Sequence, residues 1–547
     1  MGAGALTREV DLQNADRQRW LALAEKALAG GSFEDRLVSH SDDGIRIEPL
    51  YERSATAEPM VRANPGAPWI VSQRVDDPDI GRAKAQALDD VAQGATGLSL
   101  VFEGAPNAFG YGLPRTAEAL ETVLDGVPLN RVQVRIDAHP WSRAVADWLV
   151  AFLGKRRSDP AKLNLSFGID PAAIFAGTGR LRMSIEALQE SMPQSMAHFF
   201  SMGVPGVLLE ADGRVFHNAG ATEAQELGTM MASAVSYLRM FEKARQPLVY
   251  AAPHIGFALS VDQDQLLSMA KVRALRRLWA RIQEACSIPA STASIHAETS
   301  YRMMTAADPE TNILRTAIAC FAAAAGGADS ISILPHTIAH GLPAGFARRV
   351  ARNAQLIMAE ESHVDHVADP AGGSGAVEAL TNDLCAAAWQ EFQRIEAEGG
   401  VLASLQQGYI QNRVQTAAAK RNAEYRTGAR AIVGTTLFRA GSERPVVCSA
   451  PRAGRAQGPA DDAGRHRREA SLHAGRSQGP RQSRYLPRPG ALRARPLSDN
   501  VRPAALDDPA ICRLLDGGRV ERLLPAQPGG RAERPVGRFR SRHASRL

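Results

Sequence analysis

Eight short, strand-like runs separated by helical patterns constrain this chain more than any other feature. Strand followed by helix, repeated eight times over about 270 residues, is the size and order of a (β/α)₈ TIM barrel. An open, doubly wound sheet is the alternative, but no GxGxxG or GxxxxGK[ST] motif follows any run, so nothing indicates a common nucleotide-binding loop. The predicted strands are 68–75, 97–102, 131–137, 163–170, 206–211, 248–252, 292–298 and 329–335.

One helical pattern between the strands is especially clear, at 265–284. Leu275, Leu278, Trp279 and Ile282 recur at helical spacing and predict a buried apolar face. The arginines between them are expected to face solvent. These are Arg276, Arg277 and Arg281.

The predicted strands share a polar face. Side chains alternate between the two faces of a strand, so each run has an apolar and a polar phase. The apolar phase must pack on the helices, and the polar phase is then predicted to face the barrel axis, where an ordinary barrel carries Val, Ile and Leu. Such a bore would be open and wet and would admit a long, thin, polar ligand; the alternative is that its polar groups satisfy one another. The polar phases include Gln133, Arg135 and Asp137; Asn164, Ser166, Gly168 and Asp170; Ser294, His296, Glu298 and Ser300; and Ser330 and Ser332.

The C-terminal segment 441–547 differs in composition from the rest. It holds 22 Arg, no Lys and 10 Asp plus Glu, a net charge of +12, whereas the first 440 residues carry a net charge of −6. Arg, Pro, Gly and Ala without Lys are typical of a GC-rich gene read out of frame. A genuine disordered linker and a nucleic-acid-binding tail are the alternatives, and we expect disorder there and no nucleic-acid partner.

The remaining composition indicates a cytoplasmic protein. Five Cys lie far apart without a CxxC motif, which argues against a disulfide scaffold or a structural zinc site. The longest nearly unbroken apolar run, 317–328, is too short for a membrane span. The charged start of the chain does not resemble a secretory signal.

Seven segments, taken in order, resemble a known family. Together they cover residues 40–440 and are similar to the coenzyme B12-dependent acyl-CoA mutases, most of all to the small (β) subunit of methylmalonyl-CoA mutase. In that family the pantetheine chain of CoA threads a polar barrel bore, and adenosylcobalamin supplies the radical that starts the interconversion of (R)-methylmalonyl-CoA and succinyl-CoA. The segments are DGIRIEPLY at 43–51, PWIVSQR at 68–74, LDGVPL at 124–129, FHNAGA at 216–221, KVRALRRLWARI at 271–282, ARNAQLIMAEES at 351–362 and DPAGGSGAVEALT at 369–381.

The resemblance also implies an altered active site. Arg74 stands where the family has a first-strand Tyr, and the Tyr-His pair after the fifth strand reads Phe216-His217. Gly168 replaces a Gln, residues 176–179 contain no aligned Arg, and the seventh strand keeps His296 but has Glu298 for Gln. A carboxylate at that point would repel a dicarboxylate substrate. Arg74, His217, His296 and Glu298 are therefore candidates for vestigial site residues, and the histidines alternatively serve only as hydrogen-bonded barrel residues.

The resemblance places the cofactor and the partner outside this chain. The family's cobalt ligand lies in a DxHxxG segment, and the nearest match, 137–142, falls in the third strand and ends in Ser, so it reads as coincidence. We expect a non-catalytic small subunit that pairs as a heterodimer with a homologous large subunit, which binds adenosylcobalamin; acyl-CoA binding by this chain is doubtful, and no metal or membrane is expected. The alternatives are an active acyl-CoA mutase barrel needing a separate cobalamin-binding protein, and a barrel enzyme without B12.

Four domains are predicted on this basis. Residues 1–65 form a subunit-contact extension, in which Leu12, Trp20, Leu21, Leu23 and Ala24 follow a helical pattern that contacts either the partner or the chain's own barrel. Residues 66–382 form the barrel and 383–440 a helical linker. The tail, 441–547, replaces the expected cobalamin-type domain.

Overall fold

A closed barrel of eight parallel strands forms the centre of the molecule, as a computed structural model shows. The structure describes residues 17–54, 57–439, 441 and 445–449. Strand β10 closes the barrel by pairing with both β3 and β9, so the predicted (β/α)₈ architecture is confirmed and the open sheet is wrong. The strands are β1 Ser39–His40, β2 Arg46–Ile47, β3 Ile70–Val75, β4 Gly97–Leu100, β5 Gln133–Ile136, β6 Leu165–Ile169, β7 Val207–Asp212, β8 Ile255–Val261, β9 Ser294–Thr299, β10 Ser330–Ser332, β11 Leu342–Pro343 and β12 Cys448–Ser449.

Helices surround the barrel and extend beyond its last strand. Short 3₁₀ turns and one π-helical turn, Ile357–Glu361, join some of them. The α-helices are α1 Arg17–Leu28, α2 Phe33–Leu37, α3 Ile80–Ala92, α4 Ala117–Leu124, α5 Ser142–Lys155, α6 Pro171–Thr178, α7 Ile185–Ser201, α8 Arg214–Ala219, α9 Glu223–Lys243, α10 Leu248–Ala251, α11 Gln265–Ala285, α12 Thr311–Gly326, α13 Gly345–Leu356, α14 Gly375–Ala397, α15 Val401–Gln407 and α16 Tyr409–Thr427.

The sixth barrel strand lies downstream of its predicted position. Residues 248–252 form helix α10 and the start of a 3₁₀ turn, and the strand is β8. Pro247 and Pro253 flank the mispredicted run, and proline lacks the N–H that a central strand must donate. The other seven predicted runs overlap the observed strands.

Helix α11 packs its predicted apolar face against the barrel. Leu275, Leu278, Trp279 and Ile282 are buried, and the Trp279 ring meets Phe257 of β8 edge-on at 5.2 Å. The expectation that Arg276 faces solvent is wrong. Its guanidinium donates to the carbonyl of Ala293 at 2.6 Å and pairs with Asp329, because an arginine on the edge of the helix can reach the ends of the strands.

The N-terminal helix is shallowly attached. In α1, Trp20 meets Phe33 of α2 edge-on at 6.1 Å, none of its residues is fully buried, and Leu23 is exposed. Leu12 and the rest of residues 1–16 lie outside the described residues, as does the Arg-rich tail apart from 441 and 445–449. After the barrel strands in the chain, α14 packs along α9 and α11, where Arg273 of α11 pairs with Glu378 of α14.

Candidate functional site

The polar phase of the barrel strands faces the axis, as the alternation predicts. Arg135 on β5 contacts Glu210 on β7, although β6 lies between these strands in the sheet. A contact between non-neighbouring strands has to cross the barrel interior. On the opposite phase, Phe167 of β6 stacks on Phe199 of α7 with ring centroids 5.8 Å apart. The apolar phase therefore packs on the helices.

The barrel axis is filled by side chains, however, where three arginines lie. The expectation of an open, wet bore is therefore wrong for this part of the barrel. Arg74, Arg135 and Arg214 point into it and are only 3%, 1% and 0% exposed. A void that could hold water would leave part of their surface accessible. Strand alternation predicts the direction of these side chains correctly but not their reach, since three arginines with their counter-ions fill the space that short Ser and Gly side chains would leave.

Arg214, at the start of α8, joins the end of β7 to two other strands. Its Nη2 lies 2.7 Å from Asp137 Oδ1 and 2.6 Å from Asp212 Oδ2. Its Nη1 lies 3.2 Å from Oε1 of Glu298 on β9. One guanidinium thus holds together carboxylates from β7, from β9 and from the residue that follows β5.

Arg74, on β3, reaches the same cluster from the other side. Its Nε donates to Asp76 Oδ2 at 2.6 Å, and its Nη1 lies 3.5 Å from Glu298 Oε2. Its guanidinium carbon lies 4.9 Å from the centroid of the Phe109 ring, which stacks in turn on Tyr301 at 4.1 Å. The structure therefore brings together two of the four candidate residues, Arg74 and Glu298, in an ion pair.

We call this set of side chains the axial ion network. It contains four guanidinium groups and five carboxylates, so the carboxylates are in excess by one. Burial raises the pKa of Glu298 and of Glu210, although the arginines oppose the rise. Burial would likewise raise the pKa of Asp137, but there Arg214 and Arg135 prevail and hold it below its usual range. The network members are Arg74, Arg135, Arg214, Arg348, Asp76, Asp137, Asp212, Glu210 and Glu298.

Both candidate histidines are buried, and among the described residues neither forms an ion pair with the axial ion network. His217 contacts Glu226 Oε2 through Nδ1 at 3.1 Å and Ser300 Oγ through Nε2 at 2.8 Å. His296 contacts Ser330 Oγ at 3.0 Å through Nδ1, and its Nε2 has no partner among the described residues. Burial lowers the pKa of both rings well below the usual range, so both are neutral at pH 7.

A group that could be taken for a metal site surrounds His217. Ligand atoms of His217, Glu223 and Glu226 lie within 4.8 Å of one another. The ammonium group of Lys271 lies 2.8 Å from Glu226 Oε2 and also contacts Glu223. Arg302 Nη2 also lies 3.5 Å from Glu223 Oε1. Two cations therefore already balance the two carboxylates, which makes the group an internal ion cluster.

The DxHxxG-like segment 137–142 does not fit cobalt ligation. His139 is buried after β5, its Nε2 lies 2.9 Å from the Glu103 carbonyl oxygen, and its Nδ1 accepts from the Trp141 amide at 3.0 Å. The tautomer that satisfies both contacts carries its proton on Nε2, and the lone pair of its Nδ1 accepts the Trp141 hydrogen bond. Neither nitrogen is left to coordinate a metal.

Gly168, where the resemblance implies a Gln, has a backbone that excludes a side chain. Its φ is +56°, and an added Cβ would overlap the carbonyl oxygen of Ile136. The pairing of β6 with β7 shifts register between Ser166 and Ile169, around this residue. A Gln side chain could therefore not be accommodated at this position without a change in the strand backbone.

Sequence reasoning missed much of the axial ion network. Strand alternation predicts that Arg135 and Asp137 lie on a polar face. Arg214, however, lies in a helix, and Glu210 lies in a run of mostly apolar residues. The signal that could have found them is charge balance, because an arginine predicted inside a barrel requires buried carboxylates opposite it.

The chain is similar to known mutases along most of its length. A sequence model described as methylmalonyl-CoA mutase matches residues 52–457. The methylmalonyl-CoA mutase small subunit of Streptomyces virginiae is 36% identical over 464 residues, which are 81% of this chain and 73% of that protein. The corresponding small subunit of Propionibacterium freudenreichii subsp. shermanii is 33% identical, over 75% of this chain and 66% of that protein.

The chain is also similar to an animal mutase. The mitochondrial methylmalonyl-CoA mutase of Mus musculus is 29% identical over 78% of this chain and 61% of its own length. The chain thus spans between 61% and 73% of these three relatives. Among the described helices, none has the length and apolar character to cross a membrane.

Proposed function

This chain belongs to the methylmalonyl-CoA mutase family, and on that premise we propose that it is the small subunit of such a mutase and contributes no catalytic groups. The complex would interconvert (R)-methylmalonyl-CoA and succinyl-CoA in the cytoplasm. A homologous large subunit would bind adenosylcobalamin and acyl-CoA, and this chain would support it in a heterodimer. The domain bounds 1–65, 66–382, 383–440 and 441–547 belong to the same proposal.

The packed barrel axis is the observation that carries this proposal. A pantetheine chain threading the barrel would have to pass Arg135 and Glu210, whose side chains contact each other from strands on opposite sides of β6. Opening that path would separate buried charges from their partners, which costs on the order of several kcal/mol for each unpaired ion.

The charges of the axis also disfavour an acyl chain that ends in a carboxylate. Each axial arginine already contacts carboxylates, and the network has one carboxylate more than it has guanidinium groups. A substrate carboxylate would find no free guanidinium there. The effect differs from simple repulsion by Glu298, because Arg214 and Arg74 compensate that residue's charge.

Support for a cofactor held elsewhere comes from His139. Both its ring nitrogens are engaged by backbone groups, so the only DxHxxG-like segment of the sequence does not offer a cobalt ligand. The exposed Leu23 on the loosely attached α1 agrees with a role of the N-terminal extension in contacting the partner.

Counting acyl-CoA sites in the purified heterodimer tests this proposal. We expect titration calorimetry with succinyl-CoA to give one site per heterodimer and the isolated chain to give none. Two sites per heterodimer would contradict the proposal and would favour an active barrel that depends on a separate cobalamin-binding protein.

Variants of this chain within the assembled complex give a second test. His296→Gln and Glu298→Gln should leave turnover of methylmalonyl-CoA unchanged within about two-fold, as should His340→Gln, which alters an exposed histidine outside the axis. A ten-fold loss confined to the two axial variants, with assembly and thermal stability retained, would assign catalysis to this barrel.

A further inference from the structure

A cleft of about 400 Å³ opens where the loops after β4, β5 and β6 meet. These loops follow the carboxyl ends of three neighbouring parallel strands, which is the face where barrels of this kind build ligand sites. Its volume lies within the range of small-molecule sites. The lining residues are Gly104, Arg115, His139, Pro140, Trp141, Thr178, Arg180, Leu181 and Arg182.

Three arginines with a common environment line this cleft. The guanidinium carbons of Arg182 and Arg115 lie 3.4 Å and 4.8 Å from the centroid of the Trp141 ring. Arg180 is the third, and all three arginines are exposed. Among the described residues, no Asp or Glu lines the cleft. Three like charges around one cavity attract an anion that can be shared between them.

The walls of the cleft are held by hydrogen bonds that do not use the arginine side chains. His139 is buried and bonded to the Glu103 carbonyl oxygen at 2.9 Å. Thr178 Oγ1 lies within hydrogen-bond distance of the carbonyl oxygens of Ile174, at 2.6 Å, and Arg180, at 2.9 Å, and shares its one proton between them, which fixes the turn after α6. Burial lowers the pKa of His139, and the charges of Arg115 and Arg182 lower it further against the opposing effect of Glu103, so the neutral ring is favoured beside these arginines.

We propose that this cleft binds a small phosphorylated anion through its diphosphate group. A phosphate group presents oxygens in several directions, so it can accept forked N–H pairs from more than one arginine, whereas a carboxylate has a single planar edge. A diphosphate also supplies the negative charge that three guanidinium groups need. Free pyrophosphate and a nucleoside diphosphate share this chemistry. The site is independent of the subunit role proposed above.

Titration calorimetry of the full chain at low ionic strength tests the site. Pyrophosphate and ADP should each bind at one site, more tightly than citrate does, and higher salt should weaken both. The double variant Arg115→Gln/Arg182→Gln should lose at least ten-fold in affinity for both. Arg349→Gln should bind as the parent does, because Arg349 is an exposed arginine stacked on Phe346 away from the cleft.

Three outcomes would overturn the proposal. They are the absence of saturable pyrophosphate binding at millimolar concentration, equal affinity in the double variant, and citrate binding tighter than either phosphate. Because all the substituted arginines are exposed, unchanged thermal unfolding of each unliganded variant will show that a lost affinity comes from the cleft.

Discussion

Arg135 and Glu210 form an ion pair inside the barrel, with Arg135 Nε 3.1 Å from Glu210 Oε1 and Arg135 Nη2 in contact with Glu210 Oε2. This forked contact links β5 to β7 across the interior. Arg135 also donates to Ser99 Oγ at 3.0 Å and contacts Asp137. A single arginine therefore donates to acceptors on β4, on β7 and just after β5. Its removal would leave two buried carboxylates without this counter-ion.

Arg135→Met should lower the free energy of unfolding by about 3–5 kcal/mol, because it leaves Glu210 and Asp137 with fewer counter-ions in a dry interior. Urea denaturation at pH 7 measures the loss. Adding Glu210→Gln should restore at least ~1 kcal/mol, because one uncompensated charge is removed with it.

The control for this prediction is Arg131→Met, an exposed arginine just before the same strand. It should change stability by less than about 0.5 kcal/mol. Equal losses in the two variants, or a double variant no better than Arg135→Met, would show that the axial pair is not coupled.

Gly168→Ala should destabilise the fold by more than about 3 kcal/mol, since the new Cβ combines a left-handed φ with overlap on the Ile136 carbonyl. Thermal and urea unfolding measure it. Gly203 has a similar φ of +64° with nothing within 4 Å, so Gly203→Ala should cost only about 1–2 kcal/mol. Similar costs at both positions would mean that the β6 backbone can relax.

The architecture could be predicted from sequence because strand and helix periods alternate regularly along the chain. Seven of the eight predicted runs overlap the observed strands. The sixth run, at 248–252, is misplaced because a short apolar helix bounded by prolines has the same local pattern as a buried strand. The inward direction of the polar phase was predicted too, as the Arg135 contact confirms.

The filling of the axis could not be predicted, since it depends on which strands face each other across the closed barrel. Alternation shows where Arg135 points, but its meeting with Glu210 depends on the stagger of the strands. Arg214 lies at the start of a helix, where strand periodicity carries no information. The cleft arginines were missed for a similar reason, because Arg115 and Arg182 are distant in sequence and converge only through the ring of Trp141.

Stability should fall as the pH drops below about 6.5, the unfolded-state pKa of histidine. Burial lowers the pKa of His296 in the folded chain, so its contribution is present above that pH and is lost as the unfolded state gains a proton. His296→Gln should remove up to about 1.4 kcal/mol of this loss per pH unit. Urea unfolding from pH 7.5 to 5 measures the slope, and the exposed His340→Gln should keep the parental one. A parallel profile for His296→Gln would mean that the ring is charged in the fold.

Lys271→Met should destabilise the chain by about 3–5 kcal/mol at pH 7.5, because Glu223 and Glu226 lose the buried ammonium that both contact. Burial alone would lower the pKa of Lys271, but these two carboxylates raise it above its usual range, which reflects the strength of the pairing. Without the lysine, the two like charges repel each other, and this repulsion costs most at neutral pH and less in acid. The deficit should therefore shrink as the pH falls from 7.5 to 5.5, as urea unfolding would measure.

Lys155→Met, which removes an exposed lysine paired with Glu121 at 2.5 Å, should show a small deficit that does not vary in this range. A Lys271→Met deficit that stayed constant with pH would instead indicate lost packing around the lysine stem.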